Sequence, residues 1–162
     1  KTYGFEVIQW APRSPDGVRL SFIQRIAPPL QGWTELRRWS RLTNAAVLVR
    51  DMVAARRFQE NALGLQTSSA SNTVGDAGPN VMGLPWALSA AQSVDIHGYS
   101  GQPAGDAAIE LIDMPQSRGR DYSEHARPPN LGIAGLRFVV ADLPGVAQRL
   151  ADAGLPLSAT HG

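Results

Sequence analysis

The chain has 162 residues, 43% of them hydrophobic and 18% charged, with a formal charge of +1. That length suits one ordinary domain or two small modules, the balanced charge gives no footing for nucleic acid or a membrane surface, and no apolar run approaches the about 20 residues that span a bilayer. The lack of cysteine excludes disulfides, thiol nucleophiles and Cys-ligated zinc; with no visible signal peptide, a cytoplasmic setting is expected. The chain starts at Lys1 in what reads as the middle of a strand-rich unit, and a piece of a longer protein is expected.

Taken in order, "YGFEVIQW" (3–10) has strand composition, "RSPDG" (13–17) is turn chemistry, and "VRLSFIQRI" (18–26) returns as a strand, so 3–26 is predicted to be a hairpin. A Pro-containing connector follows (27–42). Its "RRWSR" cluster (37–41) reads either as an anion patch or as a solvated linker with aromatic anchors. "AAVLVR" (45–50) is predicted to be a buried strand, Asp51 the cap of a helix, and Gly64 its end. "LQTSSAS" (65–71) is predicted to be a strand, 72–80 a loop, 83–99 one or two strands, and "AAIELIDM" (107–114) a strand. After a polar linker (115–130) the strand–Asp–helix–Gly unit recurs in "GLRFVVADLPGVAQRLADAGL" (135–155), and "LPLSATHG" (155–162) begins another strand.

The two capping aspartates, Asp51 and Asp142, lie 91 positions apart, a spacing that suits a duplicated module rather than a solenoid repeat. The expected fold class is α+β: paired βαβββ modules forming a cupped mixed sheet with helices outside. Residues 1–42 are read as the closing strands and linker of one module, 43–115 as a complete βαβββ module, and 116–162 as a linker and an opening βαβ. Residues 1–26, of the same or a partner chain, would complete that last module, which predicts a homodimer or a swapped dimer if the partner supplies them.

Through "VLVRDMVAARRFQENALGL", "IELID", "LRFVVADLPGVAQRLADAGL" and "SPDGVRLSFIQ", the sequence resembles the vicinal oxygen chelate superfamily, which includes glyoxalase I, extradiol dioxygenases and the fosfomycin- and bleomycin-resistance proteins. The resemblance rests on order and spacing rather than on one motif. It implies a ligand held in the cup of paired βαβββ modules and, in catalytic members, one divalent metal held by His or Gln of first strands and Glu of last strands. The corresponding positions here are Asn44, Gly135, Ser21 and Glu110. One carboxylate, one amide, one hydroxyl and one absent side chain make a poor set for a divalent cation, so no metal and no other cofactor is expected.

Glu110 reads either as an outward carboxylate paired with an arginine or as a cup-facing acid or base. His97 and Tyr99 share one face of a strand with Asp95, and contact a ligand if that face lines the cup. Trp86 and Trp10 are core or cup wall, Ser21 and Asn44 candidate polar contacts, and His161 stands near the end of the sequence. Two functions fit. One is a metal-free protein that binds a small, partly aromatic or carbonyl-containing molecule. The other is a lyase, isomerase or dioxygenase relative whose metal ligands lie outside this chain, or which uses Glu110 for acid–base chemistry.

Overall fold

The computed structural model describes residues 6–29, 38, 42, 44–75, 77–78, 80–101, 108–117, 119–155 and 157. The elements are β1 (Glu6–Trp10), β2 (Phe22–Ala27), β3 (Asn44–Leu48), α1 (Met52–Arg57), which continues as a π-turn (Phe58–Ala62), β4 (Gln66–Val74), α2 (Trp86–Ser89), β5 (Ser93–Ser100), β6 (Ala108–Asp113) and α3 (Leu143–Asp152). The architecture is α+β, and the described residues form one sheet of two strands and one of four in the order β3-β6-β5-β4. The chain divides into two compact units, one drawn from 1–40, 73–93 and 115–137, the other from 41–72, 94–114 and 138–162.

In the first unit, β1 and β2 pair antiparallel around the 14–17 turn, where the Gly17 amide donates to the Ser14 carbonyl at 2.9 Å. The stretch expected to hold one or two strands (83–99) holds one, β5, after the short helix α2. Pro85 stands at the N-cap of α2, and the Asn80 side chain pins the preceding turn by accepting from the Leu84 amide and donating to the Leu84 carbonyl, each at 2.9 Å. β4 runs on to Val74, into the stretch read as a loop.

In the second unit, β6 is the central strand. It pairs parallel with β3 (Ala46 opposite Glu110) and antiparallel with β5 (Gly98 opposite Glu110). Parallel pairing of β3 and β6 requires a crossover, which α1, β4 and β5 supply. The odd-numbered side chains of β6 turn under α1, where Met52, Tyr99, Ile109 and Leu111 form a buried cluster with Val49, Ala55 and Leu65 packed against it.

The two strand–Asp–helix–Gly units share their local chemistry. Asp51 Oδ1 accepts from the Ala54 amide and Asp142 Oδ1 from the Gly145 amide, each at 2.9 Å. Gly64 and Gly154 both end their helices at φ +71°, where an L side chain is strained. They differ by one residue, since Gly64 stands thirteen positions after its aspartate and Gly154 twelve. The extra residue is absorbed as the π-turn, in which the Leu63 amide reaches back five residues to the Phe58 carbonyl at 3.1 Å. The α3 helix is fixed to that turn by Arg149, whose Nε donates to the Ala62 carbonyl at 3.2 Å.

One expected strand is not formed. Residues 133–140 carry no ladder, although Leu136, Phe138 and Val140 alternate as a strand would. A strand exists only through its neighbour, and composition cannot supply one. The "RRWSR" cluster other than Arg38, the run 158–162 and His161 lie outside the described residues.

Candidate functional site

Glu110 sits mid-strand in β6, between Ile109 and Leu111, which point into the core. Side chains alternate along a strand, so Glu110 points to the opposite face of the sheet. Directly across on the two neighbouring strands stand Ala46 and Gly98. Neither projects past a methyl group, so the carboxyl is not walled in by its flanking strands. A Cβ on Gly98 would run into the Ser69 hydroxyl and come within 3.2 Å of the Ser68 hydroxyl. The serines of β4 therefore come close to the β5 backbone because position 98 lacks a side chain.

Asn44, two residues before Ala46 on β3, reaches diagonally and hydrogen-bonds the Glu110 carboxyl. Burial pushes the Glu110 pKa above the usual carboxylate value, and the Asn44 hydrogen bond opposes this more weakly. The result is a half-buried carboxyl able to give or take a proton nearer neutrality than a solvated one, with an amide held against it. Leu48 and Ile96 lie on the same face by the same ladders.

The other face is structural. Tyr99 pairs with Ile109 and His97 with Leu111, which places both aromatic side chains on the α1 side, away from Glu110. Tyr99 is 0% exposed, and its hydroxyl donates to Glu60 Oε1 at 3.1 Å. That oxygen also accepts from Arg56 at 3.3 Å and from Thr67 at 3.4 Å. The Tyr99 hydrogen bond chiefly holds the Glu60 carboxyl below its ordinary value, while desolvation raises the Tyr99 phenol. His97 Nε2 lies 3.4 Å from Asp95 Oδ1. Of the residues singled out in the sequence, the structure joins Asn44 and Glu110 and sets Tyr99 and His97 apart from them. Trp10 (75% exposed), Ser21 and Trp86 (63% exposed) belong to the other compact unit. Sequence reasoning missed Gly98, Ser68 and Ser69. The one available signal was "QTSSASNT", a strand almost without apolar side chains.

The positions at which the resemblance implies metal ligands form a set of four, Asn44, Glu110, Ser21 and Gly135. Glu110 is its one anion; the Asn44 side chain is engaged with Glu110, and the Ser21 hydroxyl accepts from Gln9 Nε2 at 2.6 Å. Gly135 offers no side chain, and a competent site needs about three protein ligands.

No protein-family model matches the chain, and no curated protein matches it. Among solved structures it is similar to a glyoxalase family protein from Bacillus cereus, with 24% identity and a TM-score of 0.53 over 73% of this chain and 74% of that one. Among the described residues no helix is long and apolar enough to cross a membrane. Ladder order, the parallel β3–β6 pair and this likeness agree: the chain has a glyoxalase-like α+β fold, as its resemblance to the vicinal oxygen chelate superfamily implies.

Proposed function

We propose that this protein binds a small organic molecule against the Glu110 face of the four-stranded sheet, without a resident divalent metal. The observation that carries the reading is the Asn44–Glu110 pair, half-buried where the adjacent strands set only Ala46 and Gly98 directly opposite Glu110. A desolvated carboxyl beside an amide is costly unless something uses it. The pair suits a ligand that presents a carbonyl or hydroxyl group, since a protonated carboxyl donates to the first and a carboxylate accepts from the second. Leu48 and Ile96 on the same face suit an apolar or aromatic remainder.

The raised pKa of Glu110 favours one further reading, in which the carboxyl moves a proton on the bound molecule as a general acid or base. Ligand-observed NMR with a library of small aromatic and carbonyl compounds, run on wild type and Glu110→Ala, tests binding. Hits that weaken in the variant support the proposal, and hits indifferent to the variant overturn it. Titration with zinc, nickel, manganese and iron(II) tests the metal-free part. Stoichiometric metal binding lost in Glu110→Ala would overturn it and restore a metal-dependent lyase, isomerase or dioxygenase reading.

A further inference from the structure

Gly98 is the residue of β5 that stands directly opposite Glu110. Directly opposed residues set their Cβ positions about 4.5–5.5 Å apart on the same face of the sheet. β4 flanks β5 on the side away from β6. Its Ser69 hydroxyl takes the place that a Cβ on Gly98 would need, and the Ser68 hydroxyl lies 3.2 Å from that point. The absent side chain therefore lets a β4 hydroxyl lean across β5, on the face of Glu110 and close to its root. On the opposite flank β3 supplies the Asn44 amide. Two residues further along this face Leu48 and Ile96 both oppose Ile112, so an apolar row runs beside the polar groups.

A carboxyl and a hydroxyl side by side can pair two ligand atoms at once. An ionised Glu110 accepts from an N–H or O–H while Ser69 donates to a neighbouring carbonyl; a protonated Glu110 donates to the carbonyl while Ser69 accepts from the N–H or O–H. A ligand edge with a donor beside an acceptor is thus paired in both protonation states. A lone carbonyl uses one of the two groups and leaves the other unmet. A ligand carboxylate would set like charge against an ionised Glu110.

We propose that Ser69, held in place by the bare backbone of Gly98, is a specificity-determining residue of the Glu110 face, and that Glu110 and Ser69 together select a neutral ligand edge in which an N–H or O–H stands beside a C=O, as in an aryl carboxamide. This selection rests on the binding reading given above and narrows it. Gly98 acts through Ser69 as a positioning residue, and the row of Leu48, Ile112 and Ile96 receives the ring.

Aryl carboxamides and aryl methyl ketones matched ring for ring are the probes, titrated into the full chain and followed by ligand-observed NMR. Wild type should bind the carboxamides about tenfold more tightly than the ketones, the worth of one further hydrogen bond. Ser69→Ala should weaken the carboxamides about tenfold. Gly98→Ala should do the same, because its methyl group displaces the Ser69 hydroxyl, which can swing away without moving the backbone. The Ser69→Ala/Gly98→Ala double variant should lose no more than either single one. Ser69→Ala deletes one oxygen from a half-buried side chain, so the test does not depend on Gly98→Ala folding. Carboxamides that bind equally to wild type and Ser69→Ala, or no more tightly than the ketones, overturn the proposal, while a loss of their binding in Glu110→Ala leaves the binding reading standing. Probes indifferent to Glu110→Ala, or not bound at all, overturn both. Additive losses in the double variant overturn the role of Gly98.

Discussion

Replacing Leu111 by alanine tests the packing on which the site stands. Leu111 is 1% exposed, and its neighbours are Met52, Tyr99 and Ile109. Leu→Ala in a core costs about 2–5 kcal/mol, the spread reflecting how far the surroundings collapse. Collapse is restricted here. β6 is laddered on both sides, to β3 and β5, so its backbone cannot move toward the gap. The helix above it is shorter and more yielding: α1 has 6 residues before the π-turn, so it closes part of the space. A loss of about 3 kcal/mol follows, against a total stability of order 5–15 kcal/mol. At about 2–4 °C per kcal/mol for a chain of this size, the melting temperature should fall by about 6–12 °C. Urea unfolding followed by circular dichroism measures the loss with an unchanged slope if the native state is otherwise intact. A loss below about 1 kcal/mol would refute the assignment of Leu111 to the centre of the core.

Asp51→Ala and Asp142→Ala should each cost about 1 kcal/mol through the lost cap, and Asp51→Ala should leave ligand binding intact; urea midpoints and a binding titration check both. Glu110→Gln keeps an acceptor for Asn44 and removes the desolvated charge. Because burial raises the Glu110 pKa, its favourable contribution is present below the ordinary carboxyl value and is lost as pH rises through the folded-state value. The variant should therefore match wild type in acid and exceed it in stability at neutral pH, and a less stable variant at neutral pH refutes the burial argument. Tyr99→Phe removes the main cause of the lowered Glu60 pKa, so the Glu60 carboxyl should titrate at higher pH in a carbon-detected NMR series. Stability that Glu60 contributes above the ordinary carboxyl value, and loses as pH falls through its folded value, should shrink accordingly.

Features settled by neighbours in sequence were legible. Asp51 and Asp142 announce their caps, Gly64 and Gly154 their helix ends, and Pro15-Asp16-Gly17 the hairpin turn, because each is decided within a few residues. Even the π-turn is written as a one-residue difference between the two units. Features decided by distant partners were not. The run 135–140 has strand composition but no ladder, and composition left open whether 83–99 holds one strand or two, where it holds β5 after a short helix. Alternation put His97 and Tyr99 on one face of β5 but could not say which face α1 covers. The core took them, while Glu110, one register step away on β6, took the open side. Ser68 and Ser69 became neighbours of the site through the missing side chain of Gly98, a contact between strands that spacing along one strand does not contain.

The most direct test of the central claim is a backbone amide shift map of the protein with a hit from the aromatic and carbonyl library. Shifts concentrated on Asn44, Ala46, Gly98 and Glu110, and abolished by Glu110→Ala, are the predicted result. Shifts confined to other residues, such as those around Trp10 and Trp86, would contradict it.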